Sequence, residues 1–82
     1  DARYWLGDMA FGEQEYRNAA DHFEALLTDH PETSWAPAAL LKWSLALREL
    51  GEDATADQVA ADLVERFPDS NEAALVAAPD GG

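Results

Sequence analysis

The chain contains no cysteine, a single lysine, and no apolar run near the roughly 20 residues that a membrane-spanning helix requires. Without cysteine it can hold neither a disulfide framework nor a thiolate zinc site. The scarcity of cations excludes as much. Lys42 and four arginines stand against 17 Asp and Glu, for a formal net charge of −12. A nucleic-acid backbone would be repelled, because that contact needs clustered Lys and Arg and the release of counterions. An anionic membrane surface is refused for the same reason. The residues after Asp1 lack the basic start and apolar core of a signal peptide, and the chain reads as an excised piece of something longer. No glycine-rich loop is present to cradle a phosphate. What remains is 82 residues, 48% of them apolar and many of those alanine. That suits one small helical domain rather than a disordered acidic tail.

Laying the sequence on itself is the most informative step. At an offset of 37 residues Ala2 falls on Ala39, Leu6 on Trp43, Gly7 on Ser44 and Ala10 on Leu47. Further on, Ala19 meets Ala56, Phe23 meets Ala60, Leu27 meets Val64, Pro31 meets Pro68 and Ala36 meets Ala73. Small residues mostly match small ones, with Ala10/Leu47 and Phe23/Ala60 the exceptions in size. The chain is therefore an internal repeat of two units and a stub.

Within each unit the apolar period is helical. Tyr16, Ala19, Ala20, Phe23, Leu26, Leu27 and His30 share one face, as do Ala39, Leu40, Trp43, Ala46, Leu47 and Leu50. Ala56, Val59, Ala60, Leu63, Val64 and Phe67 repeat the pattern, and nothing alternates as a half-buried strand would. Pro31 and Pro68 cannot continue the helices before them. Ser34 and Ser70, or Asp69 with Glu72, are positioned to cap the helices that follow, and Pro37 fits a first turn. Gly12 and Gly51 offer the left-handed residue that ends the first helix of each pair. The expected helices are 1–12, 14–30, 35–50, 53–67 and 71–78, with 79–82 a disordered tail. The fold class is all-α: an antiparallel helix-pair solenoid, with units at about 1–34 and 35–70 and a short C-terminal capping helix.

Leu6-Gly7, Ala19, Phe23 and Pro31 resemble the tetratricopeptide repeat, and Ala56 and Pro68 carry the likeness into the second unit. The strings Tyr4-Trp5-Leu6-Gly7, His30-Pro31-Glu32-Thr33-Ser34 and Ala36-Pro37-x-Ala39-Leu40 look more closely like the C-terminal domain of the YbgF/CpoB family. Phe67-Pro68-Asp69-Ser70 repeats the unit-closing signature. That resemblance implies a periplasmic scaffold associated with the Tol–Pal system. Its implied partners are TolA-like proteins and a peptidoglycan synthase, and its implied role is to link wall synthesis to outer-membrane constriction in cell division. BamD-like outer-membrane assembly factors carry similar long repeats, and such a factor or a generic tetratricopeptide adaptor is the alternative reading.

By the same resemblance, first-helix residues pointing away from the second helix line a concave partner-binding groove. They are Tyr4, Asp8 and Phe11 in the first unit and Leu41, Leu45 and Arg48 in the second. A groove this apolar disfavours a peptide carboxylate and suits an amphipathic helix, whose Lys and Arg an acidic rim would attract. Tyr4, Trp5, Leu6, Met9, Ala10 and Phe11 surround most of the first helix, so a further repeat, a bound partner or a second copy should cover part of it. No cofactor, metal or catalytic residue is expected. His22 and His30 are two turns apart, too far to share one ion, and no nucleophile, base and oxyanion donors can be grouped into a hydrolase.

Overall fold

The computed structural model describes residues 2–77. Asp1 and the expected tail, including Gly81-Gly82, lie outside them. Five helices follow in order: α1 (Ala2–Gly12), α2 (Tyr16–Asp29), α3 (Ala36–Glu49), α4 (Asp53–Arg66) and α5 (Asn71–Ala77). Among the described residues there is no strand. The all-α helix-pair solenoid is what forms, with boundaries within two residues of those expected.

The offset of 37 reappears in the backbone. The amides of Glu15 and Glu52 donate to the carbonyls of Ala10 and Leu47, each at 2.8 Å, and close matching turns. Glu15 and Glu52 then share one conformation, with φ and ψ of −91° and 71° against −94° and 62°. His30 and Phe67 end α2 and α4 in the same way, their amides bonded to Leu26 and Leu63. Pro31 and Pro68 follow directly, as stops should.

Two local assignments need correcting. Gly12 is not the left-handed residue of the first turn; Gln14 is, at φ 64°, and it is the counterpart of Gly51 at φ 81°. Nor does Ser34 cap α3. The Thr33 hydroxyl lies 3.3 Å from the Trp35 amide and accepts from it, and Thr33 is the register counterpart of Ser70. Ser70 does cap α5, its Oγ accepting the Ala73 amide proton at 3.0 Å.

The core runs between the pairs. Phe23, Leu26, Leu40 and Leu63 are fully buried, beside Ala19, Ala36, Ala39, Ala46 and Ala56. Close approach depends on small residues. A Cβ on Gly7 would sit 2.6 Å from the Phe23 ring, so only glycine lets α1 lie this near α2. The second unit exchanges volumes at the same places, with Ser44 and Leu47 where the first has Gly7 and Ala10, and Ala60 in place of Phe23.

Each helix packs on the next, and α1 also touches α3 as α3 touches α5; α2 and α4 make no such contact among the described residues. First helices converge while second helices splay. The stack therefore curves toward α1, α3 and α5, and that side is concave.

Candidate functional site

The concave side is built from α1 and α3, and the structure distributes the six expected groove residues unevenly. Tyr4 is a correction: only 7% of it is exposed, so it is floor rather than contact surface. Its ring stacks on Trp35 with centroids 4.6 Å apart, meets Phe23 at 5.9 Å, and takes Trp5 edge-on at 5.6 Å. Lys42 Nζ covers the Tyr4 ring at 5.5 Å from its centroid. Phe11 is half-buried edge-on against Tyr16, at 5.4 Å. Leu41 is half-buried, and Leu45 is exposed.

The charges of the groove are spoken for. Asp8 on α1 pairs with Lys42 on α3, and Arg48 pairs with Asp57 on α4 at 2.7 Å. Burial acts to lower the Lys42 pKa, but the Asp8 hydrogen bond and the proximity of Tyr4 and Asp8 outweigh it and hold it above its ordinary value of 10.5. Lys42 therefore stays an ammonium. Phe11, Leu41 and Leu45 are the apolar members of the expected set.

Sequence reasoning missed Trp35 and Lys42. Trp35 precedes Ala36-Pro37 at the end of a turn, a place where an aromatic ordinarily attracts no notice. Lys42 is the register counterpart of Trp5, so the repeat itself gave no hint of it. Acid is also distributed differently from an even rim. Helices α1 and α3 hold Arg3, Lys42 and Arg48 against only Asp8 and Glu49, whereas the rest of the 17 acids lie on α2, α4, α5, the turns and the termini.

A depression of about 380 Å³ at His30, Pro31, Glu32 and Thr33 belongs to the α2–α3 turn. Among the described residues no group of acids and histidines could hold a metal ion, and no helix is long and apolar enough to cross a membrane.

A stack of helix pairs in which α1 touches α3 and α3 touches α5 defines the repeat-solenoid class. A tetratricopeptide repeat family model matches residues 1–33 and 38–70, and the chain belongs to that family. No curated protein matches the sequence. Tetratricopeptide repeats typically act as non-catalytic scaffolds that bind other proteins.

Proposed function

We propose that this domain is a periplasmic scaffold that holds an amphipathic helix of a protein partner against Phe11, Leu41 and Leu45. The single observation that carries the groove is the convergence of the first helices around an apolar strip whose charges are already paired. An apolar strip rewards a partner that lays down apolar anchors at helical spacing. The surrounding field of a chain at −12 speeds encounter with a partner bearing Lys or Arg.

The finer assignment is to the Tol–Pal system, coordinating peptidoglycan synthesis with outer-membrane constriction in division. It is supported by the 37-residue register and by the His30-Pro31-Glu32-Thr33-Ser34 and Phe67-Pro68-Asp69-Ser70 closings, which resemble the YbgF/CpoB family. Its partners would be a TolA-like protein and a peptidoglycan synthase. The test is capture of purified TolA and synthase domains from one envelope by the immobilised chain. Wild type should retain at least one of them, and Leu45→Glu should lose it at least tenfold. Capture unchanged in Leu45→Glu removes the groove, and capture of neither removes the Tol–Pal reading.

A further inference from the structure

Charge is divided between the two sides of the stack. Arg3, Arg17, Lys42, Arg48 and Arg66 are each paired with one acid, Asp29, Glu52, Asp8, Asp57 and Asp62 in that order. The net charge of −12 therefore rests on the other 12 acids. Of these, Glu49 alone stands on α1 or α3. A basic partner is drawn to the convex side, where α2 and α4 lie.

That side carries a trough between the two units. Helix α3 packs against both α2 and α4, which make no contact with each other among the described residues. Polar ties join them at their ends. Arg17, near the start of α2, pairs with Glu52 just before α4. Arg66, at the end of α4, donates to the Pro31 carbonyl just past α2, at 3.1 Å. Halfway along, α3 supplies the floor. Trp43 shares a helical face with Ala36, Ala39, Leu40, Ala46 and Leu47, all of them buried, yet it is itself half-exposed. Two residues from both Leu41 and Leu45, it lies on the opposite side of α3 from the groove. Its outer part emerges where α2 and α4 stand apart. Asp21 and Glu24 follow Arg17 by four and seven residues and share its flank of α2, the one turned toward α4. Both are exposed, and neither belongs to an ion pair among the described residues.

An indole face with unpaired carboxylates beside it suits a cation. A guanidinium or ammonium over tryptophan is attracted by the ring, and the acids on the wall add to that attraction. A second copy brings the same unpaired acids and is repelled. We propose that the trough between α2 and α4 binds a Lys- and Arg-bearing segment of a protein partner. One cationic side chain lies over Trp43, and others meet Asp21 and Glu24. This surface and the concave groove are on opposite sides of α3, so both can be occupied at once.

The three tryptophans give three indole N–H signals in a ¹⁵N spectrum of the whole chain, with that of Trp43 identified by Trp43→Phe. The probe is an Ala/Arg peptide of 14 residues, the length of α2, beside the same peptide with Gln in place of Arg. At about 0.15 M salt the Arg peptide should move the Trp43 signal saturably and leave Trp5 and Trp35 in place, and the Gln peptide should move none. Asp21→Asn with Glu24→Gln should weaken binding about tenfold. Glu49→Gln with Glu65→Gln removes the same charge elsewhere and should leave affinity unchanged, as should Leu45→Gln, all folds being checked by circular dichroism. An unmoved Trp43 signal, equal action by the Gln peptide, or equal loss from the two pairs of substitutions overturns the proposal. Loss of binding in Leu45→Gln places the peptide in the concave groove and overturns it equally.

Discussion

Gln14 and Gly51 occupy one position of the repeat and meet the same left-handed requirement with unequal means. A side chain at positive φ costs about 1 kcal/mol that glycine does not. Gln14→Gly should therefore stabilise the chain by about that much, and Gly51→Ala should destabilise it similarly, in urea titrations. Gly7 sets two effects against each other. Glycine inside a helix costs about 1 kcal/mol relative to alanine. A Cβ at 2.6 Å from the immobile Phe23 ring costs about 1–3 kcal/mol in overpacking. The clash should win, so Gly7→Ala lowers stability, and much of the loss should vanish when Phe23→Leu accompanies it. Additive losses in that double-mutant cycle would show that the ring is not the cause. Neither residue's behaviour could be read from composition. The glycine at Gly12 drew attention to the wrong member of its turn, because only the hydrogen bonds from Gln14 to Phe11 and from Glu15 to Ala10 show where the chain reverses.

Elements differ in how firmly they are fixed. Helix α5 has seven residues, too few to persist alone, and leans on its packing and on the Ser70 cap. Ser70→Ala should cost about 1 kcal/mol and expose the Ala73 and Ala74 amides to hydrogen exchange ahead of the rest. Thr33→Ala should cost less, since its longer contact caps no free helix end. Between elements, Lys42 joins α3 to Asp8 and Tyr4 on α1. Its pKa is raised on folding, so the pair contributes fully below about pH 10.5 and is lost as pH climbs through the folded value. The contribution is at most about 1 kcal/mol, because both side chains are partly exposed. Lys42→Met should lower stability at neutral pH by up to about 1 kcal/mol and flatten the alkaline limb of the stability profile. The helices themselves were legible in sequence, since apolar spacing, Pro31, Pro68 and the small residues at Ala19 and Ala56 are local signals. The tie between α1 and α3 was not, because no periodicity announces a pair 34 residues apart.

The whole molecule measures 33 × 27 × 18 Å, with a radius of gyration of 11.8 Å. That equals the value of roughly 12 Å for a globular chain of this length, so two repeats begin a curve without yet forming an open superhelix. Its net charge of −12 makes it repel itself at low ionic strength. Raising NaCl from about 0.05 to 1 M should screen that repulsion and raise the melting temperature; a flat or falling trend would show that the acids are already well accommodated. The register of 37, the helix-pair class and most core positions were determined by sequence alone, because spacing and helix stops act within a few turns of chain. Tertiary structure alone decided that Tyr4 is buried against Trp35, that Phe11 and Leu41 are half-buried, and that Leu6 and Met9 stay exposed. Those outcomes depend on which helices converge and which neighbour covers a face, and residues such as Trp35 and Lys42 reach their partners only after the chain has turned back on itself.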